Sequence, residues 1–564
     1  MTDAAPALER LESPGGREAG PSRRTLAWLL ALACFPYVLG LAHPPLWDAN
    51  EPLYAQPPKE ALETGDWLAP TWSGRPWFVH PPLSSWLTMP SYALLGVNAF
   101  AERLPMAIAA ILTILATAAL GRAIAGRGGA ILAAFVLAAT PRYWLFARQL
   151  SGDVYLVACL TGAFALTLPA LRSGGVEGRR RLLAAYGLVG VGMLAKGPAI
   201  VALFLVPLLL AARFARPRVP WRSLRPVAFA TIVLALGAPW FVYMTARYGR
   251  EYFDTYFGYH TFRRIASDDF GDRRPWYYLL AILGDAQPWI LLLPFAIVRA
   301  RRRRDASPAG LLAWFAAATP LVLFTFSQGK RNVYLLPCYP ALAASLTPVL
   351  LEAWDGLHER FARAGAALFG VAAAGAAALL VIGARNVPPE IADGSRVYLG
   401  ICIAACGAAF VAWRIGRTRL VAALTIGTVW VMLVASALLL PILGRFMPVP
   451  RLAATLVSRA GPNDRVIVYA IGIQSLMFYA DRRTEVAKNP AGLLEQMGDA
   501  SHAWVLASED GVRELASLPG FDLVEHDRAP YFKFQFRWNI RGTGRSTRDL
   551  VLLDVWRADA GGRK

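Results

Sequence analysis

The stretch Trp47-Asp48-Ala49-Asn50-Glu51-Pro52-Leu53-Tyr54-Ala55 follows closely on the first apolar run of the chain, Thr25 to Ala42. Two carboxylates three residues apart, with an aromatic behind them, fall where a membrane surface is expected. Ionisable groups at a membrane boundary are costly, and those that persist mark sites of function. The surroundings set the fold class. Of 564 residues, 56% are hydrophobic and 17% are charged, and mean hydropathy is +0.40. A soluble chain carries about 25% charged residues, so this one belongs in lipid.

A spanning helix needs about 20 apolar residues. Runs of that kind lie at 25–42, 101–120, 128–146, 153–171, 182–195, 198–213, 226–246, 276–298, 309–327, 333–352, 363–384, 398–413 and 420–442, about thirteen in all. Residues 1–24 are polar and rich in Pro and Gly, and read as a disordered cytoplasmic tail. The run 25–42 lacks a small-residue cleavage site and reads as a retained helix. The net charge of +20 comes mainly from short Arg clusters between apolar runs, at 172–181, 213–225, 299–304 and 414–419. Their alternation with the runs is the positive-inside pattern, which excludes nucleic acid as a partner and sets a cytoplasmic N-terminus. An odd number of spans then carries the C-terminal region to the outer face. Cys34, Cys159, Cys338, Cys402 and Cys406 all lie in apolar segments, so no disulfide framework or zinc knuckle is expected.

The same parity gathers the polar loop 43–100, the corner Gly152-Asp153, the turn Lys196-Gly197-Pro198, the loop 247–275 and the turn Gln328-Gly329-Lys330-Arg331 on that outer face. Beyond about Val449 hydropathy falls. Arg465–Tyr469, Ala503–Ala507, Tyr531–Phe536 and Leu550–Trp556 read as strands, and Gly511–Leu518 as a short helix. The expected chain is an α-helical polytopic membrane protein over 25–445, followed by a small periplasmic α/β domain over 446–564.

Each polar element has a plain reading beside a chemical one. Asp48, Asn50 and Glu51 suit a general base for an acceptor hydroxyl; Asp48 or Asn50 equally suits the N-cap of a helix beginning at Pro52. Asp153 is a second acid, or a first-turn acid favoured by the helix dipole. Lys196, between Ala195 and Gly197-Pro198, suits a phosphate or snorkels. Lys330 and Arg331, in Ser-Gln-Gly-Lys-Arg-Asn-Val-Tyr334, run against the positive-inside expectation and suit a phosphate as well. His260 with Arg263 and Arg264, beside Tyr256 and Phe257, forms a cationic patch or an interfacial helix. His80 has no second ligand at helical spacing, so a metal is not indicated. No cofactor is called for, and neither a phosphate-binding Gly-rich loop nor a Ser/His/Asp motif is present.

With these residues in view, the chain resembles the polyprenyl-phosphate-dependent glycosyltransferases of the protein O-mannosyltransferase and aminoarabinose (lipid A) transferase superfamily. The pieces that carry the resemblance are Trp47–Ala55, Glu60–Trp67, Trp77–Trp86, Ala101-Glu-Arg-Leu-Pro105, Met193–Gly197, Arg273–Tyr278, Gln287–Trp289 and Ser327–Arg331. The resemblance implies a GT-C fold in a bacterial inner membrane. It implies transfer of a pentose or hexose from a polyprenyl-phosphate carrier to a lipid, glycan or protein acceptor at the periplasmic face. The acidic Asp-Glu pair of the family stands here as Asn50-Glu51, with Asp48 two residues earlier. Asn50 cannot take up a proton, so Asp48 is the first choice as base, with Glu51 supporting it and Asp153 as the second acid. Tyr54, His80, Lys196, His260, Arg264, Lys330, Arg331 and Tyr334, with Asn50, are the expected substrate contacts. Where the aminoarabinose branch has Phe-Glu-Lys-Pro, this chain has Phe78-Val79-His80-Pro81, one acid fewer. The rival is a transporter or flippase of lipid-linked sugars; the clustering of acids at one face rather than the midplane argues against it.

Overall fold

Apolar runs of spanning length satisfy their backbone in lipid as helices when no closed barrel forms, and among the described residues these runs are mainly helical. The computed structural model describes residues 30–48, 50–149, 151–173, 175–263, 274, 276–303, 306–327, 329–354, 370, 374, 378, 388–414, 420–532 and 547–557. Two short helices, α1 (Pro52–Thr64) and α2 (Leu83–Leu95), flank a two-stranded hairpin of β1 (Thr71–Trp72) and β2 (Arg75–Pro76) within the first polar loop. The long helices follow: α3 (Ala99–Ala138), α4 (Gly152–Ser173), α5 (Gly175–Lys196), α6 (Ala199–Phe214), α7 (Pro226–Phe253), α8 (Tyr277–Asp285), α9 (Leu293–Arg303), α10 (Pro308–Thr325), α11 (Cys338–Trp354), α12 (Pro389–Arg414) and α13 (Leu420–Val434). α4 packs along α5, α3 along α11, and α7 against α5, and their buried faces form one apolar core.

The thirteen expected spans do not each stand as a separate long helix. Among the described residues, six helices are long and apolar enough to cross a bilayer, or seven if one bent pair counts as a span. The difference has physical causes. α3 is counted once, although Ala125 and Gly126 leave helical geometry and break it where the sequence suggests two runs. α6 and α11 have 16 and 17 residues. The run 276–298 is not one rod, because α8 and the helical stretch Trp289–Arg303 meet at 109°. The expected span 363–384 falls almost wholly outside the described residues, as do the tail 1–24 and Arg264.

The C-terminal part contains α14 (Val449–Arg459), β3 (Val466–Tyr469), α15 (Ser475–Ala480), β4 (Glu485–Ala487), α16 (Pro490–Met497), β5 (His502–Ser508), α17 (Glu509–Ala516), β6 (Phe521–Phe532) and β7 (Thr547–Arg557). The sheet order is β4-β3-β5-β7-β6, with β3 parallel to β4 and β5 and the rest antiparallel. Val466, Val468, Trp504 and Leu506 face α14 and α15, while Ile467, Tyr469, Val505 and Ala507 face α16 and α17. A sheet covered on both faces needs continuous apolar strands, which is why these strands read as unbroken hydrophobic runs. The expected strand 531–536 is the end of the longer β6, and its residues 533–536 lie outside the described set.

One contact fixes the first loop to the helices. Arg103, in the second turn of α3, is 1% exposed and directs Nε and Nη2 to Glu51 Oε1 and Oε2 at 3.0 and 2.5 Å. Its remaining donors reach the carbonyls of Leu41, Pro44 and Pro45 at 2.9, 2.8 and 3.3 Å. Five N–H groups thus find five acceptors, the full capacity of a guanidinium. Glu51 Oε2 also accepts the Trp47 N–H at 2.8 Å. Removing one partner of such a pair leaves a buried charge, at a cost of about 3–5 kcal/mol. Glu51→Ala is therefore expected to lower the thermal midpoint in detergent sharply. Arg103→Lys, which keeps the charge but lacks the fork, should not restore it. A midpoint within a degree of the parent for either variant would contradict this account.

Candidate functional site

The site is built where α4 begins and α5 ends. At Gly152, a Cβ would lie 2.7 Å from the Ala195 carbonyl oxygen, so only glycine lets the two backbones approach this closely. That approach sets Asp153, in the first turn of α4, beside Lys196, the last residue of α5. Lys196 Nζ lies 2.8 Å from Asp153 Oδ2, and both side chains are largely shielded, at 18% and 11% exposure. Ser151 completes the arrangement, its hydroxyl donating to Asp153 Oδ2 at 2.5 Å and accepting the Asp153 N–H at 3.2 Å. After Lys196 the chain turns at Gly197, whose φ of +97° excludes most side chains and where a Cβ would strike Tyr256 Oη. Tyr256 and Tyr334 both lie within electrostatic range of the Lys196 ammonium.

α1 contributes the other wall. Tyr54 Oη accepts from Lys196 Nζ at 3.3 Å and meets His80 Nε2 at 2.8 Å. The two rings stack, with centroids 4.8 Å apart, and Trp77 packs edge-on against both. An ammonium can only donate, so the phenol oxygen accepts from Lys196, and the imidazole tautomer sets which of Tyr54 and His80 donates in the contact between them. Asp153, Lys196, Tyr54 and His80 thus form one continuous hydrogen-bonded chain, from four elements separated by up to 142 residues. A second link closes the loop from the far side: Arg331 Nη2 donates to Asn50 Oδ1 at 3.0 Å, at an exposed position. Arg331 is held by Tyr278, which takes its N–H at 3.1 Å and donates to its carbonyl at 3.2 Å.

Other expected residues lie apart from this chain. Glu51 is committed to Arg103. Asp48 is buried, and its Oδ1 accepts the backbone N–H groups of Ser475 and Gln474, at 2.9 and 3.3 Å, in the sheet domain. It does cap a helix, but that helix is α15, more than 400 residues along the chain; the helix at Pro52 has Glu51 in the cap position with no side-chain cap. Burial pushes the Asp48 carboxyl above the ordinary carboxylate range, against the pull of those hydrogen bonds. Lys330 is buried and donates to the Ser327 carbonyl at 2.6 Å. His260 stands edge-on to Tyr259, in the π-helical stretch Asp254–Arg263 that also delivers Tyr256.

Two participants carried too weak a sequence signal to be assigned. Ser151 and Tyr256 are ordinary residue types whose value comes only from where α4 and the π-helical stretch place them. The pair Arg142–Asp285, at 2.7 Å with Tyr339 donating to the same carboxylate at 3.1 Å, joins residues 143 positions apart. A basic and an acidic residue each beside an apolar run was the available clue. Among the described residues, no group of three or more His, Cys, Asp or Glu side chains converges.

A family profile described as dolichyl-phosphate-mannose-protein mannosyltransferase matches residues 79–243, the region that holds His80, Asp153 and Lys196. An undecaprenyl phosphate-alpha-4-amino-4-deoxy-L-arabinose arabinosyl transferase of Pseudomonas fluorescens is 30% identical over 394 residues, covering 66% of this chain and 65% of the relative. A Pseudomonas aeruginosa protein of the same name is 31% identical over 338 residues, covering 58% and 60%. The chain thus spans about three fifths to two thirds of the length of these curated relatives. The crystal structure of ArnT from Cupriavidus metallidurans bound to undecaprenyl phosphate superposes with a TM-score of 0.77 at 20% identity, covering 94% of this chain and 98% of that one. The chain is a multi-pass membrane protein with the ArnT-like fold.

The close approach at Gly152 yields a direct test. Lys196 engaged by Asp153 should resist an amine-acylating reagent, and Asp153→Asn or Gly152→Ala should expose it. Mass-spectrometric footprinting is expected to show Lys196 acylation rising several-fold in both variants while Lys488 is unchanged. Equal labelling of Lys196 in parent and variants would contradict the ion pair.

Proposed function

We propose that this protein is a membrane glycosyltransferase that moves a sugar from a polyprenyl-phosphate carrier to an acceptor oxygen at the periplasmic face of a bacterial inner membrane. The observation that carries this reading is Lys196 Nζ, 2.8 Å from Asp153 and 3.3 Å from the Tyr54 phenol, at the end of a helix bundle whose fold is that of a carrier-bound neighbour. The relatives' names supply the donor class, an undecaprenyl-phosphate sugar, and aminoarabinose is the first sugar to test.

The chemistry follows from the residues. A lipid phosphate entering beside Lys196 offers the ammonium a second anionic partner, and charge-assisted contacts of this kind are the strong ones. Lys196, with Arg331 and Lys330 behind it, stabilises the negative charge that grows on the leaving phosphate. Sharing Lys196 with the phosphate loosens its hold on Asp153, whose carboxylate then takes the proton of the acceptor hydroxyl. A bond forms between the acceptor oxygen and the anomeric carbon as the bond from that carbon to the carrier phosphate breaks. The carrier leaves as polyprenyl phosphate, and one displacement inverts the anomeric centre. In this reading the base is Asp153. Glu51 and Asp48 hold the loop that presents Asn50 and Tyr54. Tyr256, His80 and Tyr334 line the same site, and His260 and Arg264 belong to the element beside it.

The orientation belongs to the same proposal: thirteen crossings over 25–445, a cytoplasmic tail over 1–24, and the α/β domain over 446–564 outside. Support comes from the alternation of Arg clusters with apolar runs. A cysteine introduced at the exposed Ala470 is then expected to react with an impermeant maleimide added outside, and one at Arg301 only after permeabilisation. Labelling of position 470 solely from inside would overturn the orientation. For the reaction, purified protein given a panel of undecaprenyl-phosphate sugars should release undecaprenyl phosphate with at least one. Lys196→Ala should raise the donor KM, by about 10–100-fold for a lost contact of about 1.5–3 kcal/mol. Asp153→Asn should lower turnover by roughly 10²–10⁴-fold. Parent-like kinetics in both variants would sink the assignment.

A further inference from the structure

Asp48 points away from the reacting groups and into the sheet domain, and it is not alone. Segment 474–485 of that domain meets the first polar loop at a series of contacts. Asp48 Oδ1 takes the N–H groups of Ser475 and Gln474 at 2.9 and 3.3 Å. The Leu46 N–H donates to Tyr479 Oη at 2.8 Å. Lys59, 8% exposed, pairs with Asp481 and reaches the Phe478 carbonyl at 3.4 Å. The Phe478 ring is buried among Leu46, Ala55, Tyr92, Ala99 and Ala101. Most of these contacts come from the single short helix α15.

We infer that the sheet domain sets the position of the active-site loop, and that Asp48 is the positioning residue through which it does so. The inference rests on the reaction proposed above for its kinetic part, and on geometry alone for the dock. Asp48 and Glu51 are three residues apart and are committed in opposite directions. Glu51 ties the loop to α3 through Arg103. Asp48 ties it to α15. Between and just after them stand Asn50, which meets Arg331, and Tyr54, which meets Lys196. A loop held on one side only would swing about Glu51 and carry Tyr54 off the ammonium. Asp48 also fills the place a ligand takes in many parallel sheets. Its carboxylate accepts N–H groups just beyond the C-terminal end of β3, where the neighbouring strands β4 and β5 lie on opposite sides, the position of a topological switch point. This sheet domain holds the membrane part's own carboxylate there.

The test separates positioning from proton transfer, because asparagine keeps the Oδ1 acceptor and cannot act as a base. Full-length protein in nanodiscs is assayed for carrier release from its best undecaprenyl-phosphate sugar, and backbone hydrogen exchange is followed at Gln474 and Ser475. Asp48→Asn is expected to keep turnover within about threefold of the parent, with both amides protected. Asp48→Ala is expected to lower kcat at least about tenfold, a displacement of about 1 Å being able to cost on the order of 100-fold. In that variant both amides should exchange faster, and the donor KM should change far less than kcat. Tyr479→Phe, which removes the acceptor for Leu46 from the domain side, should move kcat in the same direction and serves if Asp48→Ala does not fold. An inactive Asp48→Asn with both amides still protected overturns the inference and makes Asp48 a catalytic residue. Parent-like turnover in Asp48→Ala overturns it too. If the parent itself releases no carrier, the reaction reading fails, whereas unchanged exchange in Asp48→Ala overturns the dock whatever the turnover.

Discussion

The geometry of the candidate site depends on a buried guanidinium. Arg103 gathers the carbonyls of Leu41, Pro44 and Pro45 together with both oxygens of Glu51. A charged pair at 1% exposure on both sides is costly to desolvate and tolerable only when every donor is used. That stringency makes it a good register pin, since the loop has one position in which all five bonds form. From this pin the chain runs one turn to Tyr54, and thus to the ammonium of Lys196.

The second constraint is steric. Gly152 against the Ala195 carbonyl brings the start of α4 onto the end of α5, and the charges at those ends then meet. An acid in the first turn of α4 and a lysine in the last turn of α5 each complement their own helix dipole. The close approach turns two ordinary end charges into one shielded pair. A third helix end, the π-helical stretch after α7, brings Tyr256 to the same turn. The site is therefore an assembly of helix termini, with its side chains preorganised by backbone contacts.

Much of this was legible in the sequence, and for identifiable reasons. Apolar runs and Arg clusters report the membrane directly, because lipid imposes a composition on whatever it contacts. The interrupting charges Asp153, Lys196 and Arg331 stood out because an apolar surrounding gives them contrast. The sheet strands were readable from their unbroken apolar character. What could not be read was partnership. Asp48 and Asn50 look alike as caps for the helix at Pro52, yet one faces a domain more than 400 residues away and the other faces Arg331. The acid chosen on its ability to take up a proton is the one held by backbone amides, and no local pattern distinguishes an acid that caps its own helix from one that caps a distant one. The bend between α8 and the stretch that follows was hidden as well, because an apolar run of spanning length reads the same whether straight or broken.

The claim on which the account turns is that the shielded ion pair of α4 and α5 receives the carrier phosphate. A cryo-electron microscopy map of the protein in nanodiscs with undecaprenyl phosphate tests it most directly. The account predicts phosphate density within about 3 Å of Lys196 Nζ, the span of a charge-assisted hydrogen bond, with Asp48 still on the Ser475 amide. A phosphate seated away from Lys196, with the Lys196–Asp153 pair undisturbed, would contradict it.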